Sequence, residues 1–257
     1  YSKIHTHFMI KFFVFLIIIS SPYLVNAAEP DYVREKNIFE QITSLEFEAD
    51  ILDINTVSGE NFKMVVDSSG DKIPILLLHG RGLYPNESLV MNPLREALKE
   101  SFDIFSIQLP VLYKNAKYYE YKKLFSYSDE RIKSSIDYLS RSYKKIIVIA
   151  HSCGSHMLFS FIKKYDITNI DAIILLGAGA VDKGQKVDSY LDYKRYGIDI
   201  LNIYGEFDHQ SVIKHGNYFQ SLNDDNLEQK VIIESDLYYR DSVDYMVSEV
   251  NKWLKSR

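Results

Sequence analysis

Cysteine is nearly absent from this chain of 257 residues, which contains only Cys153. No disulfide within the chain is possible, so the apolar core must stabilise the fold. The chain also has no excess of basic residues, because 30 lysines and arginines stand against 35 acids and the formal net charge is −5. This balance argues against nucleic acid or an anionic membrane surface as a partner.

Linkers, repeats and cofactor motifs are missing as well. No proline- or glycine-rich stretch divides the chain, and no segment recurs at a fixed period. The histidines are not spaced with carboxylates as metal ligands on one helix, and no glycine loop suited to a phosphate is present. We therefore expect one domain without a metal or an organic cofactor, and the oligomeric state is left open.

The N-terminal segment has the pattern of an export signal. Lys11 precedes the apolar run Phe12–Ile19, which is shorter than the roughly 20 residues of a membrane-spanning helix. Val25–Ala27 supplies small residues of the kind that a signal peptidase recognises. The pattern predicts a periplasmic or secreted protein whose mature part has no stable membrane insertion.

The signal also sets the expected boundaries of the chain. We read Met9 as the initiator, residues 1–8 as an over-extended reading frame, residues 1–27 as removed, and residues 28–257 as the mature domain. The alternative is a retained membrane anchor. A lipid anchor is not expected, because no cysteine follows the signal.

Short apolar runs alternate with segments of helical periodicity after residue 28, which predicts a mostly parallel sheet with helices on both faces. Phe47–Asn55 and Asn61–Asp67 have the pattern of an opening antiparallel hairpin. The other candidate strands are Ile73–Leu78, Phe102–Gln108, Lys145–Ala150, Asp171–Leu176, Asp199–Tyr204 and Lys230–Glu234.

The segment Ala150–Gly154 joins a strand to an amphipathic helix. A serine in such a turn, with small residues two positions before and after it, is the pattern of a nucleophile elbow. Ala150 replaces the usual first glycine, whereas Gly154 keeps the second. The elbow predicts an α/β-hydrolase fold, with Ser152 as nucleophile and the N–H of Cys153 as a donor to an oxyanion. The alternative is an ordinary serine in a βα turn.

Two further loops supply the expected partners of the serine. His79 and Gly80 end an earlier strand, and a glycine there lets N–H groups turn into the cleft, so Arg81 is the expected second oxyanion donor. His79 is expected to orient this loop. Asp208 follows the next-to-last candidate strand and is the expected acid, with Asp182 in reserve; either acid could instead form a turn or cap a helix.

These motifs, taken in order, resemble a family of exported bacterial α/β-hydrolase-like proteins of unknown function, DUF3530. The resemblance rests on Leu78–Gly82 with Pro85-Asn86, Gln108–Pro110, Ala150–Gly154, Tyr204–Glu206 with Asp208, and Trp253-Leu254. It runs from about Ile73 to Leu254. The resemblance implies the α/β-hydrolase fold and a serine nucleophile without a known substrate.

The histidine of a catalytic triad is missing where this fold carries it. The loop after the last candidate strand is Glu234–Arg240, and Leu237 stands where the resembling family has histidine. No histidine follows His215. Without a base, a serine hydroxyl is a poor nucleophile at neutral pH.

Three explanations of this departure are open. The first is a different base: His209 stands beside Asp208 and would need Asp182 or Asp236 to orient it, whereas His151 and His156 are less well placed. The second is a degenerate hydrolase that serves as an exported binding or scaffold module. The third is that the register is wrong and the pattern is misread.

The substrate of an active enzyme would be a small or lipid-like acyl compound. Ser152 would attack the carbonyl of an ester, thioester or amide. Tyr113–Tyr127 mixes aromatic residues with lysines and could form a lid that favours apolar or sugar-bearing substrates. A partly buried amphipathic surface segment explains the same residues, and we favour it.

Overall fold

The computed structural model describes residues 28–43, 48–187 and 190–257. The predicted export signal over residues 1–27 and Phe47 of the predicted hairpin lie outside the described residues. Within the described ranges, no helix combines the length and apolar character needed to cross a bilayer.

Seven α-helices and eight strands make up the described part of the chain. In chain order they are α1 (Tyr32–Thr43), β1 (Asp50–Asn55), β2 (Asn61–Asp67), β3 (Ile73–Leu78), α2 (Met91–Leu98), β4 (Phe102–Ile107), α3 (Tyr118–Tyr121), α4 (Phe125–Leu139), β5 (Ile146–His151), α5 (Cys153–Ile162), β6 (Ile170–Leu176), β7 (Asp199–Gly205), α6 (Gln210–Ser221), β8 (Leu227–Ile232) and α7 (Val243–Lys255).

The eight strands form one sheet in the order β1-β2-β4-β3-β5-β6-β7-β8. The strand β2 runs antiparallel to both of its neighbours, and all other neighbouring strands are parallel. The predicted mostly parallel sheet with an opening hairpin is therefore confirmed. Because β3 pairs with β5, the loop after His79 and the turn at Ser152 leave adjacent strands at the same edge.

Both faces of the sheet are covered, as expected for nearly continuous apolar strands. Alternate residues of β3 show the division: Ile75 and Leu77 pack with α2 and α7, whereas Leu76 and Leu78 pack with α4 and α5. All four side chains are fully buried. The sheet is thus a rigid platform for the loops at its carboxyl edge.

The last strand differs from its predicted position. It begins at Leu227, not Lys230, and it ends before Glu234, whose φ of 55° breaks the strand. The cause is its place at the edge of the sheet, where Ile233 is 66% exposed and the apolar run no longer marks the paired residues. This difference between predicted and observed bounds concerns β8, the strand that leads into the loop of Leu237.

The tyrosine- and lysine-rich segment over residues 113–127 packs into the fold. It contains α3 and the start of α4, with Tyr118 and Tyr121 buried and Tyr113 and Tyr119 exposed. The Tyr121 hydroxyl accepts the N–H of Leu112 at 2.9 Å. This is the amphipathic surface segment that the residue pattern favoured, and Tyr118 extends from it to the rim of the Ser152 cleft.

A buried ion network attaches α1 to the sheet. The side chain of Arg131 is fully buried and bonds Glu35 of α1 at 3.0 Å and Glu60 at 2.5 Å. Arg131 also donates to the Gln108 carbonyl at 3.0 Å, and Glu35 accepts the N–H of Val111 at 3.0 Å. The network therefore fixes both α1 and the loop that follows β4.

Candidate active site

The carboxyl edge of the sheet brings together four loops that carry the predicted site. Ser152 follows β5, Gly80 follows β3, Asp208 follows β7 and Leu237 follows β8. Loops at the carboxyl ends of parallel strands are where α/β sheets bind ligands. Ser152, Gly80 and Leu237 line one cleft.

Ser152 has the backbone of a nucleophile elbow, with φ 51° and ψ −117°. A positive φ is rare for a residue with a side chain, and it costs about 1–3 kcal/mol. The turn is closed by backbone contact, since a Cβ on Gly154 would lie 2.6 Å from the His79 carbonyl oxygen and 2.7 Å from that of Leu78. Glycine is therefore required at residue 154, whereas the methyl group of Ala150 is accommodated and fully buried.

The loop after β3 is held by His79. The ring Nε2 accepts the N–H of Leu109 at 3.0 Å, and Nδ1 donates to the Gly80 carbonyl at 2.8 Å. Burial lowers the pKa of His79 to about 3, so the ring is neutral. A Cβ on Gly80 would lie 3.0 Å from His151 Nδ1, so a larger residue there would press against the elbow. His79 thus orients the loop and has no nitrogen free for proton transfer.

The two expected oxyanion donors border the same cleft. Cys153 is the first residue of α5, where an N–H has no partner within the helix. The Arg81 side chain forms a two-point ion pair with Asp182, which also accepts the N–H of Tyr118 at 2.7 Å. Although burial acts to raise it, the pKa of Asp182 is held below its usual value by Arg81. Asp182 is therefore committed to Arg81.

Asp208 has the burial of a triad acid but lacks the partner. Its Oδ1 accepts the N–H of His209 at 2.7 Å, while its Oδ2 has no hydrogen-bond partner among the described residues. Burial raises the pKa of Asp208 to about 7. In a working triad this oxygen accepts the N–H of the catalytic histidine.

Leu237 lies where that histidine would connect the acid to the serine. A Cβ built on Gly177 would be 2.5 Å from Leu237 Cδ1 and 3.3 Å from Asp208 Oδ2, so both groups face the same point. Leu237 also lines the cleft of Ser152, and its carbonyl accepts the Nε2–H of His151 at 2.9 Å. An apolar side chain therefore separates a buried carboxyl from the nucleophile.

The other histidines of the described chain differ in their hydrogen-bond partners and in their exposure. His156 Nε2 contacts the Ala180 carbonyl at 3.1 Å, and His215 Nε2 contacts the Tyr193 hydroxyl at 2.6 Å. Burial lowers the pKa of His215 to about 3 and also lowers that of His151. His209 is exposed and borders the cleft of Ser152. Of the predicted bases, His209 alone has an exposed side chain at the cleft.

Replacing Asp208 by Asn is expected to stabilise the protein above neutral pH. The folded carboxyl keeps its proton up to about pH 7, whereas the ordinary value is 3.8. Only the unfolded chain ionises between these values, so the free energy of unfolding falls as pH rises through this window. The loss is about 2–4 kcal/mol. The Asp208→Asn variant does not suffer this loss. Urea denaturation should therefore give it a higher free energy of unfolding than the parent at pH 8 and nearly the same value at pH 4.

The opposite result at pH 8 would contradict this account. If Asp208→Asn is less stable than the parent there, the carboxylate is ionised and paired in the folded state. Asp236→Asn is the matched control, because that carboxylate is bonded to the exposed Arg240. It should show no comparable gain.

The sheet, the elbow and the order of the loops define an α/β-hydrolase fold, and comparison with solved structures agrees. Naproxen esterase (carboxylesterase NP) from Bacillus subtilis matches at 12% identity with a TM-score of 0.63, over 86% of this chain and 97% of that one. A thermophilic esterase from Thermogutta terrifontis matches at 14% identity and TM-score 0.61, over 81% and 99%. An esterase from Pyrococcus furiosus matches at 16% and 0.60, over 83% and 94%.

At these identities the likeness establishes the fold. No protein-family model matches the chain, and the comparison with curated proteins found no match. The resemblance to DUF3530 therefore stays a prediction.

Two residues of the site were not singled out from the sequence. Gly177, with φ 59°, leaves the space into which Leu237 and Asp208 point. The sequence feature that could have identified Gly177 is the run of small residues after β6, because such residues let the backbone approach another segment of the chain closely. Tyr238 closes the cleft above His151, with the ring centres 5.9 Å apart, and a tyrosine in a loop carries no comparable signal.

Proposed function

We propose that this protein binds a carbonyl-bearing ligand in the Ser152 cleft and that it lacks efficient acyl transfer. The observation that carries the proposal is Leu237 beside the unpartnered Oδ2 of Asp208. The elbow and oxyanion donors would still orient a carbonyl group, but within the described residues no histidine lies between the acid and the serine. A triad that loses one member loses several orders of magnitude in rate and keeps a residual acceleration.

The shape of the site favours binding of one end of a ligand. The cleft that Ser152 lines has a volume of about 70 Å³, which suits a carbonyl group and little more. It shares Val181, Asp182 and His209 with a second cavity of about 810 Å³. The ligand would place its acyl head in the cleft and its remaining part in the larger cavity.

Export of the protein to the periplasm or outside the cell is part of the same proposal and rests on the pattern of Lys11 to Ala27.

A fluorophosphonate probe tests the catalytic side of the proposal. We expect it to label the purified protein no faster than the Ser152→Ala variant, because a serine without a base is a poor nucleophile. Methyl esters tested by ligand-observed NMR should bind both proteins alike. Rapid labelling that Ser152→Ala abolishes would overturn the proposal.

The second candidate is a serine hydrolase with His209 as its base. It is favoured by the position of His209, whose exposed side chain borders the cleft of Ser152. Under this alternative, His209→Gln should abolish labelling by the probe as fully as Ser152→Ala does. Asn217→Gln, at an exposed position further along α6 that lines neither cavity, is the control and should leave labelling intact.

A further inference from the structure

The cavity beside the Ser152 cleft is bordered by the loop after β6 and the first turns of α6. We call it the lysine cavity; it is lined by Val181–Val187, Tyr190, His209–Ser211 and Lys214. The hydroxyl of Ser211 accepts the N–H of Val181 at 3.2 Å and so fixes the loop against the helix. Because it shares three residues with the cleft, the cavity is where the far part of a ligand would lie.

Three exposed lysines line this cavity: Lys183, Lys186 and Lys214. Among the described lining residues the only acid is Asp182, and its carboxylate is paired with Arg81. Within residues 28–43, 48–187 and 190–257 none of the three ammonium groups pairs with a carboxylate. In the sequence of the loop between β6 and β7, the further acids are Asp188 and Asp192.

The sign of this charge is opposite to that of the whole chain, whose formal net charge is −5. The three lysines therefore give the lysine cavity a local charge that attracts an anionic ligand, although the chain as a whole is acidic. Lysines set around a cavity attract an anion as point charges, and they do so without a preformed fork such as arginine provides. Complementary charge of this kind selects ligands more than it tightens binding.

We propose that the lysine cavity binds an anionic group of the same ligand whose carbonyl end occupies the Ser152 cleft. This inference rests on the proposed function. The ligand class is then an acyl ester, thioester or amide that carries a free acidic group, such as a half-ester of a dicarboxylic acid. The neutral ester of the same skeleton lacks the group that the lysines attract.

The test compares matched pairs of probes. The monomethyl esters of succinic, adipic and suberic acid are measured against their dimethyl esters by ligand-observed NMR at low salt. At least one monoester should bind about tenfold more tightly than its diester, since three exposed charge contacts contribute roughly twofold each. The difference should shrink as salt is added.

A triple variant assigns the effect to the cavity. Lys183→Gln, Lys186→Gln and Lys214→Gln together should bring the monoester to the affinity of the diester and leave the diester unchanged. The control is Lys144→Gln, Lys252→Gln and Lys255→Gln, which removes the same charge from exposed positions elsewhere and should preserve the preference.

The possible failures are distinguishable. Equal binding of monoester and diester overturns the anionic ligand and leaves the proposed function standing. A preference that survives in the cavity variant overturns the assignment to these lysines. If neither ester binds the parent protein, ligand binding in the cleft fails and this inference fails with it.

Discussion

Replacing Leu237 by His is expected to raise the rate of p-nitrophenyl acetate hydrolysis by about 10²–10⁴-fold over the parent protein, which is the contribution of a well-placed general base. The carbonyl of Leu237 is fixed by His151, so the backbone is anchored at the position that the new side chain needs. An imidazole there would meet Asp208 Oδ2 on one side and the Ser152 cleft on the other.

Three variants separate this effect from simple opening of the cleft. Leu237→Gln introduces a polar side chain that can bond Asp208 but cannot act as a base, and its rate should stay at the parent level. Ser152→Ala or Asp208→Asn combined with Leu237→His should remove most of the gain. A rate that rises equally with Gln would mean that opening of the cleft, and not a new base, causes the gain. A gain that persists without the serine would mean that Ser152 is not the nucleophile.

Arg131→Met is expected to lower the free energy of unfolding by about 3–5 kcal/mol, as measured by urea denaturation. Arg131 is the shared partner of Glu35 and Glu60, and removing it leaves two carboxylates in a desolvated site. Burial already raises the pKa of Glu35 despite its pairing with Arg131. Loss of the arginine would also release the loop after β4 at the Gln108 carbonyl.

The matched control neutralises the carboxylates as well. Arg131→Met together with Glu35→Gln and Glu60→Gln should recover much of the lost stability, because no unpaired charge is then buried. Lys133→Met, two residues further along α4 and half-exposed, removes a lysine whose ion pair within the described residues is with Asp137, and it should cost less than about 1 kcal/mol. If the single and triple variants are equally unstable, the packing of the arginine and not its charge holds α1 in place.

The sequence predicted the fold because its strands are apolar and its elbow is local. Ser152 and Gly154 lie within one turn, so the pattern of small residues could identify the turn without knowledge of the rest of the chain. The start of β8 was predicted three residues too late, at Lys230 instead of Leu227. The reason is that an edge strand is half exposed, so its apolar run does not mark the paired residues. Positions in local turns are thus more predictable than ends of edge strands.

The candidate site was predictable as a set of loops, but its contacts were not. Leu237 stood out as a departure, yet its approach to the unpartnered oxygen of Asp208 depends on Gly177, a residue of a third loop. Likewise, the commitment of Asp182 to Arg81 joins segments 101 residues apart in sequence. Such long-range pairs follow from the packing of the sheet and leave no signal in a single sequence.

The lone thiol of the chain sits inside the elbow, directly after Ser152. Cys153 is 2% exposed, and burial raises the pKa of its thiol to about 12, so in the folded protein it is a protonated group out of reach of reagents. Modification of the thiol would require the turn to open. Alkylation kinetics of the parent protein would therefore measure the opening of the elbow itself, and cysteines introduced elsewhere could carry spectroscopic labels without competition from the native one.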